Sequence, residues 1–255
     1  PQASRPTAPG KAAAGYSERR CGRPERDSRP SKTPRPPLGR RLPKRAQRRG
    51  ERTRRCYSRD RRTAAQRARW DVAGPYFHGQ ATYALAYDSR EGRHRLWAST
   101  FSMLWGTFLR SSDDYGRTWT NPQEAPIRFP ADSGATLKNI WQICLGRPEE
   151  PNVIYCGVEP AALYESRDDG ETWSLVRGLF EHPHRPRWMP GMGGLALHTI
   201  LLDPQNPKRM YVAISAGGVY VSEDGSSTWQ ARNRGIRVVH MPEKYPEFGQ
   251  CVHKI

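Results

Sequence analysis

The amino-acid sequence predicts an all-β protein made of β-propeller blades, and three observations support this prediction. An eight-residue stretch recurs three times, beginning at Ser112, Ser166 and Ser222. Short apolar strand patterns precede each copy in the same order, and helical periodicity is absent. Four antiparallel strands in each repeat of this length are typical of a propeller blade.

Each recurring stretch is predicted to form a hairpin turn. In the copy at 166–173, Ser and Asp side chains can accept hydrogen bonds from backbone N–H groups, and Gly supplies a positive φ. The Thr-Trp pair that follows suits a half-buried returning strand. The third copy has Ser226 where Gly is expected and Gly225 one place earlier. We therefore expect its turn to be of another type.

Nine strand candidates precede the turns, three before each. A returning strand after each turn would complete four strands per repeat. The nine candidates are 81–87, 95–100, 107–111, 139–145, 152–157, 162–165, 196–202, 210–214 and 218–221.

Charge divides the 255-residue chain near Trp70. Residues 1–70 hold 23 Lys+Arg and 5 Asp+Glu, whereas residues 71–255 hold 19 and 20. The first segment is rich in Arg and Pro and nearly free of branched apolar residues, so we expect it to be disordered. Its positive charge is compatible with nucleic-acid binding, but such blocks are most often solvated tails. The segment could also be a spurious, out-of-frame extension, because its composition is that of a GC-rich reading frame.

Other classes of function have little support in the sequence. No run approaches the roughly 20 apolar residues of a membrane span, so no membrane partner is expected. The five cysteines have no Cys-x-x-Cys spacing, and neither a zinc site nor a disulfide framework is predicted. Cys144, Cys156 and Cys251 lie in apolar patterns and are expected to be small buried residues. We predict no metal and no cofactor.

The recurring stretch resembles the Asp-box, or BNR repeat, of the sialidase-like propeller superfamily, which has the pattern Ser-x-Asp-x-Gly-x-Thr-Trp. The first two copies match it completely. The phrases at 202–207 and 217–220 are similar to blades of xyloglucanase-type, sortilin-type and bacterial BNR-repeat glycosyl hydrolase proteins. The resemblance implies turns that stabilise the propeller rim and do not contact substrate. Its structural residues here are Ser112, Asp114, Gly116, Trp119, Ser166, Asp168, Gly170, Trp173, Ser222, Asp224 and Trp229.

The resemblance also implies more blades than this sequence contains. Three turns correspond to about three blades, and residues 248–255 are typical of the first strand of a fourth. Since this superfamily usually has six or more blades, we expect residues 71–255 to be an incomplete six- or seven-bladed propeller. The Phe-Arg-Ile-Pro motif of true sialidases is absent, so that family's arginine triad, acid and tyrosine nucleophile cannot be assigned.

A ligand site is expected on the face opposite the repeat turns, where long loops lead into each first strand. An ungapped superposition of the first strands, with Asp88 on Arg147 and Asp203, places polar residues at one equivalent position. They could form a hydrogen-bonding floor for a polar ligand, or simply line a water-filled channel. These residues are Tyr83, Gln142, His198 and, 55 residues after His198, His253.

The loop at 181–188 is the second candidate region. Arg185 and Arg187 could bind a carboxylate, and Trp188 offers a face for sugar stacking. His182 and His184 could join His198 around a metal, but their spacing and the lack of a carboxylate argue against it.

Glycoside hydrolysis needs two carboxyl groups beside the scissile bond. Glu159 and Glu243 are the best candidates, with Tyr245 beside the latter, although ordinary loop surface charge is the favoured explanation for them. We therefore predict binding of a glycan or other polar polymer, and the sequence leaves open whether the complete protein also hydrolyses it. A non-catalytic interaction or assembly scaffold is the alternative, and nucleic-acid binding by residues 1–70 comes third.

Overall fold

A computed structural model describes residues 74–239 and 241–255, where three antiparallel sheets follow one another along the chain. The all-β class with blade-like repeats is confirmed. The predictions for residues 1–70 lie outside the described residues. Among the described residues, no helix is long and apolar enough to cross a membrane.

Strands adjacent in sequence are adjacent in each sheet and pair antiparallel. All nine candidate strands form, with ends shifted by no more than two residues. The first sheet contains β1 (Ala81–Asp88), β2 (Arg95–Ser102) and β3 (Gly106–Ser112). The second contains β4 (Asn139–Leu145), β5 (Ile154–Glu159), β6 (Ala162–Ser166) and β7 (Ser174–Leu175). The third contains β8 (Leu197–Leu202), β9 (Met210–Ile214), β10 (Gly218–Ser222) and β11 (Gln230–Ala231).

The first sheet lacks the expected fourth strand, and Pro122 explains why. In the second sheet Val176 N–H donates to the Leu163 carbonyl at 2.9 Å, and in the third Arg232 N–H donates to the Val219 carbonyl at 2.9 Å. Pro122 occupies the corresponding place after the first turn and has no N–H to donate. The returning chain therefore leaves β3 after the single backbone bond from Thr120.

Short helical segments occur in the loops, although the sequence indicated none. Helix α1 (Arg177–Phe180) is one turn long, too short to produce a periodic apolar pattern. Three-residue 3-10 turns are also present at Arg90–Gly92, Ala131–Ser133 and Arg185–Arg187.

All three repeat turns have the same conformation, which corrects the expectation for the third. Each places two consecutive residues at positive φ, and in the third these are Gly225 at 74° and Ser226 at 73°. Ser226 N–H donates to Ser222 Oγ at 2.8 Å, as Gly170 N–H donates to Ser166 Oγ at 2.8 Å. Exchanging the glycine between the two positions therefore leaves the turn type unchanged.

Neighbouring sheets pack through two apolar cores, one on each side of the second sheet. Gly157 in β5 allows a close approach, because a Cβ at this position would lie 2.6 Å from Leu197 in β8. Cys156 is fully buried, as expected, whereas Cys144 is half-buried and Cys251 is exposed. The core expectation for Cys251 is thus incorrect.

A repeated arginine contact also joins adjacent sheets. Arg90 Nη1 donates to the carbonyls of Glu150 and Val153 in the second sheet, at 3.1 and 2.9 Å. Arg147 Nη2 makes the equivalent bonds to Asn206 and Arg209 in the third sheet, at 3.3 and 3.2 Å. One arginine per interface therefore satisfies carbonyls of the next sheet.

Candidate functional site

The sheets have two chemically different edges, one at each end of their strands. The repeat turns lie at one edge, where Arg95 forms ion pairs with Asp113 and with Asp169 of the next repeat. The other edge, called the loop face, carries the hairpins between the second and third strands of each sheet and the segments leading into the first strands. The loop face consists of residues 103–105, 160–161, 215–217, 121–138, 176–196, 232–239 and 241–250.

Near the loop face, each first strand contains a β-bulge. The register shifts lie between Thr82 and Leu85 in β1, between Ile140 and Gln142 in β4, and between Leu197 and Thr199 in β8. A bulge adds a residue without a direct cross-strand partner and re-aims its side chain. The bulged residues are Tyr83, Trp141 and His198.

Trp141, rather than the predicted Gln142, is equivalent to Tyr83 and His198. Gln142 pairs with Gly157 and its Nε2 donates to the Ile143 carbonyl at 3.2 Å. The ungapped superposition of the first strands is therefore wrong by one residue in the second repeat, because Gly146 and not Arg147 corresponds to Asp88. Backbone pairing to the second strands reveals this shift, and the amino-acid pattern alone does not.

The bulged residues and His253 form one continuous row of rings, here called the aromatic row. Ring centroids are 4.7 Å apart for Tyr83 and Trp141, 5.0 Å for Trp141 and His198, and 4.3 Å for His198 and His253. Tyr83 and His253 are exposed at the ends, and the two middle rings are half-buried. The predicted grouping of Tyr83, His198 and His253 is therefore seen, without Gln142.

His253 joins the row although residues 248–255 form no regular strand. Its carbonyl accepts a hydrogen bond from Thr199 Oγ1 at 2.7 Å, and its ring stacks on His198 at an interplanar angle of 29°. Burial lowers the pKa of His198, as do the neighbouring His253 and Lys254, whereas Glu159 acts in the opposite direction. The middle of the row therefore favours a neutral imidazole.

Glu159 ends β5 beside the aromatic row and is 6 % exposed. Its Oε2 accepts a hydrogen bond from Trp141 Nε1 at 3.0 Å and a longer one from Asn139 Nδ2 at 3.5 Å. Lys138 Nζ lies 3.7 Å from Oε1. A buried carboxylate needs such partners, because an unpaired buried charge is costly. The indole thus joins the carboxylate to the row.

Gly194 closes the other side of this carboxylate. It has a φ of +101°, and an added Cβ would lie 2.2 Å from Glu159 Oε1. Any side chain at this position would therefore displace the carboxylate. The sequence contained no signal for this approach, since Gly194 is one of several glycines in its loop.

Glu243 and Tyr245 differ from Glu159 in their surroundings. Both are exposed, and among the described residues neither side chain makes a hydrogen bond. The structure therefore gives Glu159, but not Glu243, a defined orientation.

The loop at 181–188 is organised by packing within the protein. Trp188 is 4 % exposed and donates Nε1–H to the Tyr220 hydroxyl at 2.8 Å, so its face is not offered to a sugar as expected. Arg185 lies over the Phe180 ring at 3.9 Å, and burial lowers its pKa. Arg187 lies over Phe248 at 4.5 Å and remains exposed.

His182 and His184 belong to the same packed cluster. Their ring centroids are 4.6 Å apart, and His182 Nδ1 accepts the His184 backbone N–H at 3.1 Å. His184 Nδ1 lies 3.1 Å from the Tyr220 hydroxyl. His182 Nδ1 is thus engaged within the loop and His184 Nδ1 is engaged by Tyr220 of β10, and neither histidine contacts the aromatic row.

One loop-face feature was not anticipated from the sequence. The β2–β3 hairpin tip exposes Met103 by 93 %, Leu104 by 85 % and Trp105 by 74 %. Its base is tied to the site, because Thr107 Oγ1 donates to the Lys138 carbonyl. Residues 101–106 lie between two predicted strands, but nothing in the sequence indicated that the apolar side chains of 103–105 would be exposed.

Comparisons with known proteins identify partial relatives. The oligoxyloglucan-reducing end-specific xyloglucanase of Emericella nidulans is 26 % identical over 121 residues, covering 47 % of this chain and 14 % of the relative. A GH74 enzyme of Niastella koreensis is similar with a TM-score of 0.37 and 21 % identity, covering 58 % of this chain and 22 % of that one. YCF48 of Cyanidioschyzon merolae is similar with a TM-score of 0.37 and 15 % identity, covering 58 % and 39 %. No protein-family profile matches the chain.

Proposed function

We propose that the loop face binds a glycan and that the complete protein is a glycoside hydrolase-like propeller. The observation that carries this proposal is the aromatic row with the Glu159 carboxylate fixed beside it. Sugars present apolar C–H faces to aromatic rings and hydroxyl groups to fixed polar partners. The row combines both, since Tyr83 and Trp141 supply rings and Glu159 and His198 supply polar atoms.

Xyloglucan is the first glycan to test, because the curated relative is named as a xyloglucanase. The match covers a small part of that relative, so its specificity is a starting point for this chain. The Ser-x-Asp-x-Gly-x-Thr-Trp turns support the narrower proposal that the chain belongs to the sialidase-like, Asp-box superfamily.

Binding is tested by calorimetry with xyloglucan oligosaccharides and a panel of other glycans. Truncating an aromatic anchor of a binding site costs about 2 kcal/mol or more, so Trp141→Ala should weaken binding by about tenfold or more. Tyr115→Ala is the matched control, because Tyr115 is 60 % exposed in a repeat turn at the opposite edge. Equal losses in the two variants, or no binding by any glycan, would contradict the proposal.

Turnover is tested separately with aryl glycosides and xyloglucan. If the intact protein cleaves them, Glu159→Gln should abolish turnover, and Glu243→Gln and Tyr245→Phe test the remaining candidates. A protein that binds glycans but shows no turnover across the panel is a binding domain only.

A non-catalytic interaction scaffold is the second candidate, and the exposed tip Met103–Trp105 favours it. A protein that binds no glycan but loses a partner on Trp105→Ala would support this class. Nucleic-acid binding by residues 1–70 is tested by deleting them, since such binding weakens steeply with salt.

A further inference from the structure

The β2–β3 hairpin is longer than its counterparts in the other two repeats. Counted from the first serine of each repeat turn, the fifth cross-strand pair is Thr100–Phe108, Val158–Ala162 or Ile214–Gly218. Beyond this pair the chain continues for seven residues (101–107) in the first repeat and for three in each of the others. The two additional pairs carry the first tip about 7 Å further, at about 3.4 Å per residue. The tip therefore projects because of an insertion within its own repeat.

The inserted residues make the tip apolar and uncharged. No charged residue occurs between Arg95 and Arg110. The three side chains at the tip, Met103 to Trp105, are each exposed by 74 % or more. An apolar segment at the most projecting point of a surface is typical of a site that leaves water on binding.

The backbone of the tip is already satisfied without water. Ser102 Oγ accepts the N–H groups of Leu104 and Trp105 at 3.2 and 3.4 Å. Ser102 is 7 % exposed, so its hydroxyl is held beneath the tip. Lipid offers no partner to an open N–H group, and a segment that enters it must make such bonds internally.

A membrane suits the tip better than a protein or a sugar does. A stable protein interface buries about 800 Å² on each partner, which three side chains on a projecting tip do not supply. A sugar needs fixed polar partners, and among the described residues the side chains of Met103, Leu104 and Trp105 make no hydrogen bond. A fluid apolar phase needs neither a matching pocket nor polar partners.

Charge on the loop face favours an anionic membrane surface. The loop face holds nine Lys+Arg and five Asp+Glu, whereas the remaining described residues hold ten and fourteen. Arg128 is beside the tip, where it lines one hollow together with Trp105. Arg232, Arg234 and Arg237 are exposed on the same face. Basic residues beside an apolar anchor are attracted to anionic headgroups.

We propose that the β2–β3 hairpin anchors the loop face on an anionic lipid membrane. Met103 and Leu104 enter the acyl region, and Trp105 lies at the level of the headgroups, where amphipathic rings are favoured. The basic residues of the loop face bind the headgroups. The sequence argues against a membrane span, and contact of this kind requires none.

The test uses the full chain and its sedimentation with lipid vesicles. Residues 1–70 are basic and can bind anionic lipid by themselves, so the apolar contribution is measured with phosphatidylcholine vesicles at about 1 M salt, where charges are screened within about 3 Å. Met103→Ser/Leu104→Ser should lower the partition coefficient about tenfold or more, because two apolar side chains no longer leave water. Tyr115→Ser is the matched control, since Tyr115 is 60 % exposed at the opposite edge and its replacement should change nothing.

Two further measurements locate the contact. Phosphatidylcholine brominated on its acyl chains should quench tryptophan fluorescence, and the quenching should fall several-fold in Met103→Ser/Leu104→Ser, which keeps Trp105. Adding phosphatidylserine at ordinary salt should strengthen binding, and Arg234→Glu should reduce this gain several-fold more than Arg117→Glu. The two arginines are both exposed, and Arg117 lies in a repeat turn at the opposite edge.

Equal partition of the tip variant and the Tyr115 control would overturn the proposal. Vesicle binding without quenching would also overturn it, since that result is expected when residues 1–70 alone hold the vesicle. Self-association that is lost in Met103→Ser/Leu104→Ser, without partition into vesicles, would assign the tip to a second copy of the chain instead. These readouts involve no glycan, so they are independent of the proposed function.

Discussion

Trp141 donates its indole N–H to Glu159 across 3.0 Å, and this bond joins the aromatic row to the buried carboxylate beside it. The two residues come from paired strands, β4 and β5, but they are 18 positions apart in sequence. The bulge at Trp141 is what turns the indole toward the carboxylate, because a regular strand would direct its side chain to another face.

Replacing Trp141 by Phe tests the structural value of this bond. The ring would remain, but Glu159 would lose its shortest hydrogen bond while staying buried. An unsatisfied buried acceptor costs about 1–3 kcal/mol, so the free energy of unfolding should fall by that amount in urea denaturation. Trp105→Phe is the control, since Trp105 is 74 % exposed and a surface change should stay within about 0.5 kcal/mol. Similar losses for the two variants would show that the bond is unimportant.

The repeat turns allow a test of packing between repeats. Gly170 has a φ of +88°, and a Cβ there would lie 2.7 Å from Trp97 Cη2 in the first sheet. Gly225 has a similar φ of +74° with nothing within 4 Å of its added Cβ. Gly170→Ala should therefore destabilise the protein by about 1–3 kcal/mol more than Gly225→Ala, because only the former adds a clash. Equal midpoints in thermal unfolding would contradict this contact.

Arg90 supports both its own sheet and the next one. It binds the fully buried Asp88 through Nη2 to Oδ2 at 2.8 Å, besides its bonds to the second sheet. Burial alone would raise the pKa of Asp88, but the hydrogen bonds from Arg90 outweigh burial and the pKa is lowered. Arg90→Leu would leave a buried carboxylate without its main partner, at a cost of about 3–5 kcal/mol.

Denaturant unfolding measures the cost of Arg90→Leu, with Arg234→Leu at an exposed position as the control. The double variant Arg90→Leu/Asp88→Asn should recover part of the loss, because the uncompensated charge is removed. A double variant as unstable as the single one would show that the bonds to the second sheet, and not the ion pair, dominate.

The sequence predicted the strands and turns because their signals are local. Alternating apolar residues and Gly in a turn act through backbone conformation over a few residues. The missing fourth strand of the first sheet was also readable, since Pro122 removes a donor at a known place in the repeat. To recognise it, one must compare Pro122 with Val176 and Arg232, which occupy the same place in the other two repeats.

The site was predicted less well because the end of the first strand carries no residue pattern that aligns the repeats. Matching Asp88 with Arg147 instead of Gly146 selects Gln142 in place of Trp141, and only the backbone pairing with the second strand reveals the correct register. The predicted exposure of Trp188 was wrong because its burial depends on Tyr220, which lies in a strand distant in sequence. The arginine contacts of Arg90 and Arg147 were missed because their acceptors are backbone carbonyls, which carry no sequence signal.

The aromatic row should also make stability depend on pH. The pKa of His198 is lowered by burial and by His253 and Lys254, with Glu159 opposing, while an unfolded histidine titrates near 6.5. Between these two values the unfolded chain binds more protons than the folded one, so stability rises with pH in this window. The contribution is complete above about pH 6.5 and is lost as the pH falls toward the lowered pKa of the folded state.

His198→Gln should therefore flatten the pH dependence of the unfolding midpoint below about pH 6.5, compared with the unchanged protein. His78→Gln is the control, because His78 is exposed and lies outside the row. His182 also has a pKa lowered by burial and by His184, so some dependence should persist in the variant. If the unfolding midpoints of the His198 variant and the His78 control depend on pH in the same way, His198 does not cause the pH dependence. The stacked imidazoles then tolerate protonation in the folded state.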